Sequence, residues 1–393
     1  MSARWTAACL AVCAAVSLSV NAARAQLTRE ELIRIDKARV VADAERYLSE
    51  PPVTITAFPA ARSVGGPHDF YSEGDYWWPD PRNPEGPYIR RDGETNPANF
   101  VAHRDAMRRL SRIVPALVAA FEVTRNQRYA RRAVGHLRAW FVAESTRMNP
   151  NLLYGQAIKG VATGRGIGII DTIHLVEVAQ AIRVLEREGA LPPETFRDVT
   201  SWFRQYLEWM TTHPYGIDER KNGNNHSVAW ALQVAEFARL TGDASQLAAM
   251  REFYRDTLLP QQMAADGSFP RELARTKPYG YSLFQLDMMA TLAQVLSTAT
   301  DNLWTYSTAD GRGLRRAVAF MYPYIKDKRS WPRAPDVMYY DNWPVRQPAL
   351  LFAGLAFHDQ RYVDLWKTLE PAPSVDEVDR NFPIRQPLLW IEP

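Results

Sequence analysis

The chain has 393 residues, 46% of them hydrophobic and 23% charged, enough to bury a large core in one or two domains. A net charge of +3 is small for this length and argues against nucleic acid as a partner; a polyanion would have to be held by local arginines. The only cysteines, Cys9 and Cys13, fall in the leader described next, which excludes disulfides, thiol catalysis and cysteine metal sites from the mature chain.

The N-terminus opens Met1-Ser2-Ala3-Arg4, runs apolar over 7–20 and ends Ala23-Arg24-Ala25 before Gln26. That is the layout of a secretory signal with an Ala-x-Ala cleavage site. Residues 1–25 are therefore expected to be removed and the mature protein to be periplasmic or secreted. No later stretch is long and uncharged enough to span a membrane, and a soluble monomer is expected.

Residues 26–68 begin with a charged helical pattern over 27–48, an N-terminal arm. Residues 51–97 are rich in Pro, Gly, Asp and Trp and keep no period of 3.6 or 2; a loop this long in a compact domain is functional or disordered. Its aromatic load (Phe70, Tyr71, Tyr76, Trp77, Trp78, Tyr88) argues against disorder and for a lid. From there on, apolar residues recur at three- and four-residue spacing over 107–123, 129–142, 169–188, 194–210, 226–240, 245–259, 281–296 and 314–324. β-branched alternation is scarce. Three polar turns, at 124–127, 241–243 and 358–362, each join two helical stretches, a weak internal repeat of helical hairpins. Such pairs bury their apolar faces by stacking on one another. The expected fold is all-α, an incomplete (α/α) toroid with its catalytic domain over 69–393; the plain alternative is an irregular helical bundle.

Five stretches between helices carry the polar chemistry. The first runs from Gly74 to Pro97 and holds Trp77, Trp78 and Tyr88, whose flat faces suit sugar rings, and Arg90 and Arg91, whose forks suit carboxylates. At least one of the two tryptophans is expected to plug the core. The second, Gly164-Arg165-Gly166-Ile167-Gly168, superficially resembles a phosphate loop but has neither a βαβ context nor Gly-Lys-Ser/Thr; it reads as a tight turn bringing Arg165 to the mouth of the toroid. The third, Asn222-Gly223-Asn224-Asn225-His226, turns a polar loop into an apolar helix, setting amides and an imidazole where N–H groups and the helix dipole favour an anion. An ordinary Asn cap with a half-buried histidine is the alternative there. The fourth, 270–281, places Arg275, Lys277, Tyr279 and Tyr281 ahead of a helix, and the fifth, 335–346, is aromatic and turn-rich, a possible structural plug. The other histidines lack ligand spacing, so no metal site is expected.

Taken together, these stretches resemble the alginate lyase superfamily of polysaccharide lyases. Asn224-Asn225-His226 matches its Asn-Asn-His motif, and Glu272-Leu273-Ala274-Arg275 with Tyr281 resembles its Glu-x-x-Arg segment and downstream tyrosine. Trp77-Trp78-Pro79-Asp80-Pro81 with Pro87-Tyr88-Ile89-Arg90-Arg91-Asp92-Gly93 is similar to the branch containing polysaccharide lyase family thirty-eight, more than to family five. Ser227 stands where relatives often carry Gly or Arg. The interval from Arg275 to Tyr281 is one residue shorter than in family five, which leaves Tyr279 as an alternative to Tyr281.

The resemblance implies an (α/α) toroid that cleaves a 1,4-linked polyuronate by β-elimination without a cofactor. Asn225 and Arg275 would neutralise the substrate carboxylate, making the C5 proton acidic. Tyr281 would act as base and acid if its pKa, near 10 when free, were lowered by Arg275 and His226. His226 would assist, or serve as the base for a C5 epimer. Trp77, Trp78, Tyr88, Arg90, Arg91, Arg165, Asn224, Lys277 and Tyr279 are the expected substrate-binding residues, and the partner is an acidic polysaccharide. Two other classes compete: a glycoside hydrolase drawing a carboxylate pair from Asp75, Glu219, Asp266 and Asp341, and a non-catalytic polysaccharide-binding protein.

Overall fold

Helical periodicity over most of the chain becomes fifteen α-helices in the computed structural model, which describes residues 28–391. The expected signal segment lies outside the described residues. In chain order the helices are α1 (Arg29–Tyr47), α2 (Ala102–Thr124), α3 (Gln127–Phe141), α4 (Leu175–Arg187), α5 (Pro193–Thr212), α6 (Pro214–Arg220), α7 (Asn225–Thr241) and α8 (Ala244–Phe253). They continue with α9 (Leu259–Gln262), α10 (Pro270–Leu273), α11 (Pro278–Leu296), α12 (Leu314–Lys326), α13 (Pro348–Phe357), α14 (Gln360–Thr368) and α15 (Asp376–Arg380).

The inner helices α2, α4, α7, α11 and α13 pack each against the next, with α1, α3, α5, α8, α12 and α14 outside them. Burial follows position. Inner α7 and α11 are buried on almost every face, whereas outer α3 and α14 bury a single stripe, which is why their sequences look amphipathic. The expected hairpins are α2–α3, α7–α8 and α13–α14, and their turns have the capping chemistry that stops one helix and starts the next. Arg125, Gly242 and His358 take the left-handed conformation at the C-caps, and the side chains of Asn126, Asp243 and Asp359 cap the following helices. The ring stays open: the C-terminal turn Pro387–Trp390 lies against α1, α2 and α4, and α1 packs along α2.

Residues 51–97 form an ordered cover containing small strands that sequence periodicity does not reveal. Strand β1 (Tyr71–Glu73) pairs in parallel with β4 (Tyr154–Ala157), and β2 (Trp77–Trp78) pairs antiparallel with β3 (Ile89–Arg90). The glycine-rich turn at 164–168 owes its composition to chain crossing: a Cβ on Gly168 would lie 2.7 Å from the backbone of Gly155, and one on Gly166 2.6 Å from the carbonyl of Tyr215. It leads into a 3₁₀ turn, Gly166–Thr172, ahead of α4.

Candidate active site

The Asn/His segment sits at the first turn of α7. Gly223, at φ +81°, reverses the chain and donates its N–H to Ser227 Oγ at 2.6 Å; the Asn224 side chain then caps the helix by accepting from the N–H of His226 at 3.0 Å. Asn225 donates twice to the buried carboxylate of Glu272, from its backbone N at 2.8 Å and from Nδ2 at 2.6 Å. Burial raises the Glu272 carboxyl against the pull of those two bonds. His226 is held through Nδ1, 2.7 Å from Oε1 of the fully buried Glu219. With a carboxylate as acceptor Nδ1 carries the hydrogen, leaving Nε2 without a protein partner among the described residues.

Tyr281 lies on the first turn of α11, whose N-terminus is held by Asp336 accepting from the N–H groups of Tyr279 (2.8 Å) and Gly280 (2.9 Å). Its hydroxyl is 2.5 Å from that of Tyr76 and accepts from Arg275 Nη2 at 3.3 Å, the guanidinium standing 4.5 Å from the ring centre. Arg380 donates to the Tyr76 hydroxyl at 3.3 Å. Arg275 is itself clamped by Asp92, at 3.0 Å from Nε and 2.8 Å from Nη2. Burial works to raise the Asp92 carboxyl, but the bonds from Arg275, Arg90 and Thr276 bring it down to about 2.

One expectation fails here. The Tyr281 phenol is not lowered: burial, and after it the neighbouring Tyr76, push it well above its ordinary value, and Arg275 offsets only part of that. Arg275 has also committed two of its nitrogens to Asp92, so it serves the phenol at least as directly as it could serve a substrate carboxylate.

Tyr281, His226, Asn225 and Arg275 nevertheless line one cleft, with a cavity volume of about 420 Å³, and Trp77, Arg90, Arg165 and Asn224 line it with them. The remaining expected binding residues do not. Tyr279 is fully buried, donates to the carbonyl of Tyr324 at 3.0 Å and packs on Trp331 and Tyr340. Two residues from Tyr281 on a helix, it faces nearly the opposite way. Lys277 is buried behind the phenols, paired with Glu377 at 2.6 Å, its ammonium over the rings of Tyr76 and Tyr339. Trp78 alternates away from Trp77 along β2, with Arg91 stacked on it and its indole N–H on the carbonyl of Glu94. Tyr88 sits under Lys159 outside the cleft. The 335–346 stretch is structural: Trp343 is buried and Tyr340 packs on Tyr279.

Sequence reasoning did not find Gln156, His174, Arg380 and Asn381, which also line the cleft. Tyr76 and Asp92 lie in the Gly74–Pro97 stretch, where nothing in the sequence assigns them a role. The hydrolase carboxylates do not pair across the cleft. Asp75 is bound to Arg104, 2.8 Å to each oxygen, and to Arg380; burial opposes them, yet they bring its carboxyl down to about 2, unsuited to a general acid. Glu219 is spent on His226, Asp266 accepts from the N–H of Ser268 in a turn, and Asp341 is exposed. Among the described residues no group of three or more His, Cys, Asp or Glu converges as a metal site would, and no helix is long and apolar enough to cross a membrane.

Comparison with known proteins agrees with this architecture. Residues 54–331 match the family described as alginate lyase. Among solved structures, an alginate lyase from Bacteroides ovatus is 30% identical with a TM-score of 0.78, over 91% of this chain and 93% of that one. Alginate lyase A1-III complexed with a tetrasaccharide is 15% identical, TM-score 0.56, over 91% and 94% of the two chains. Alginate lyase A1-III from Sphingomonas species A1 is 16% identical, TM-score 0.52, over 81% and 85%. The last two likenesses speak for the fold alone. No curated protein sequence matches significantly. The class so defined is that of the polysaccharide lyases, enzymes that break a carbon–oxygen bond by elimination. Within it, this chain belongs to the alginate lyase family.

Proposed function

We propose that the enzyme cleaves a β-1,4-linked polyuronate, glucuronan or mannuronan, at internal linkages by syn β-elimination. The observation that carries this reading is the shared cleft of Tyr281, His226, Asn225 and Arg275. In both polymers H5 and the C4 oxygen lie on the same side of the ring, so one group removes the proton and hands it on. The C5–H and C4–O4 bonds break, the C4–C5 double bond forms, and the proton ends on O4.

Asn225, fixed by Glu272 through one Nδ2 hydrogen, has the other for the substrate carboxylate, and this bond strengthens as charge builds on that group. The phenol is neutral at rest. For it to act as base its proton must leave, and His226 Nε2 is the unpartnered acceptor lining the same cleft. The resulting phenolate keeps two donors, Tyr76 and Arg275. Carbohydrate elimination leaves a conjugated double bond that absorbs in the ultraviolet, whereas a hydrolase leaves only new reducing ends and a binding protein neither. Assay on glucuronan, poly-mannuronate, poly-guluronate and hyaluronan tests the substrate, and early loss of viscosity tests internal attack.

Export to the periplasm or beyond belongs to the same reading. It rests on the leader over 1–25, and an N-terminal sequence beginning at Gln26 in the mature protein checks it.

A further inference from the structure

Each arginine of the cleft except Arg165 is in contact with a carboxylate. Arg90 and Arg275 share Asp92, while Arg104 and Arg380 share Asp75. Among the described residues Arg165 forms no ion pair. Its guanidinium donates only to neutral oxygens of Gln156, from Nε to the backbone carbonyl at 2.8 Å and from Nη2 to Oε1 at 3.3 Å. It stands 5.6 Å from the ring centre of Trp77, and its described hydrogen bonds use Nε and Nη2 and leave Nη1 over.

The position is built to hold that geometry. Gln156 takes φ +48°, unusual for a side-chain-bearing residue, and is tied to Ser72 Oγ through its N–H at 2.8 Å and to Asp171 through its amide at 3.0 Å. A Cβ on Gly74 would lie 2.8 Å from Arg165 Nη2, so the glycine leaves room for the fork. Burial lowers the Arg165 pKa to about 10, which still leaves it charged at neutral pH. Asp171, behind Gln156, is the nearest carboxylate to act on it, without touching it, so a half-dry cation backed by an aromatic face keeps an open place for an anion in contact.

Resting on the elimination reading, we infer that Arg165 and Trp77 form a subsite for the carboxylate of a second uronate, the neighbour of the ring that undergoes elimination. The reacting ring has one carboxylate, and that is taken by Asn225. Tyr76, which touches the catalytic phenol, and Trp77, which backs Arg165, line the same cleft, so one polymer chain can reach both positions. The enzyme therefore reads charge on two successive sugars, and a chain in which uronates alternate with neutral sugars is a poor substrate.

The test compares kcat/KM, per uronate, on poly-mannuronate or glucuronan and on the same polymer partially carboxyl-reduced so that isolated uronates remain. The wild-type enzyme should prefer the parent polymer by roughly 10- to 100-fold, the worth of one charge-assisted contact. Arg165→Gln should erase that preference through KM while leaving kcat near its wild-type value. Arg165→Lys, which keeps the charge but loses the fork, should fall between. A ratio taken within one preparation is insensitive to the fraction of folded enzyme. An unchanged ratio in Arg165→Gln overturns the inference and leaves the elimination reading intact. Wild-type enzyme giving no unsaturated product from either polymer overturns both.

Discussion

The hydroxyls of Tyr76 and Tyr281 lie 2.5 Å apart, and a different guanidinium donates to each, Arg380 to Tyr76 and Arg275 to Tyr281. Arginine only donates. Each hydroxyl has the other as its sole acceptor among the described hydrogen bonds, so either can donate across the pair. Once the Tyr281 proton leaves, its oxygen is served by two donors, Tyr76 and Arg275, an arrangement that stabilises the phenolate. It opposes the burial that raises the phenol.

A base whose pKa is raised must be deprotonated before it works. The rate should therefore climb from neutral to alkaline pH, measured as kcat for unsaturated product. Tyr76→Phe removes one donor to the phenolate and should lower kcat by roughly 10-fold or more, as loss of a transition-state donor does, while moving the rising limb to higher pH. A limb moved to lower pH would show that Tyr281 donates to Tyr76 instead.

Asn225→Ala should cut kcat by about 10²–10³ with little change in KM, the signature of a contact made chiefly in the transition state. Glu272→Gln is the companion. It retains the packing but weakens the grip on both Asn225 N–H groups, and should cost less than Asn225→Ala itself. An effect confined to KM in Asn225→Ala would mean uniform substrate binding.

Glu219 acts through His226. Glu219→Ala frees the ring to rotate or change tautomer, and should lower kcat by roughly 10-fold. The tautomer itself is measurable by ¹⁵N NMR: the native protein should show the hydrogen on Nδ1 and a lone pair on Nε2. The opposite assignment would remove His226 as a proton acceptor for Tyr281.

Asp75 ties the loop over the cleft to α2 and to the C-terminal helix, through Arg104 and Arg380. Its folded pKa of about 2 lies below the ordinary 3.8. The stability it contributes is thus complete above about pH 4 and lost as the pH falls through its folded value. Asp75→Asn should destabilise the fold by on the order of 3 kcal/mol, because two buried guanidinia lose a partner, and should flatten the acid limb of the stability profile near pH 3. Thermal denaturation from about pH 2 to pH 7 checks both.

The helical ring was legible because a 3.6-residue period survives in sequence wherever a helix buries one face, as in α3 and α5. Strands of two to four residues, such as Trp77–Trp78, leave too few positions for any period to register. The Asn-Asn-His turn and the Arg275–Tyr281 segment were legible because each is contiguous and sits at a helix start. The choice between Tyr279 and Tyr281 depends on helical phase, which only packing fixes. Arg380 and Asn381 reach the cleft from a short helix about a hundred residues beyond Tyr281, so no local pattern marks them. Trp78, Arg91 and Lys277 have suitable chemistry but the wrong facing.

The most direct measurement follows ultraviolet absorbance during incubation with poly-mannuronate or glucuronan, for the wild-type enzyme and for Tyr281→Phe. Wild type should accumulate 4,5-unsaturated uronate ends, and Tyr281→Phe should still bind polymer yet form none. Unsaturated product from Tyr281→Phe at a rate near wild type would contradict the account.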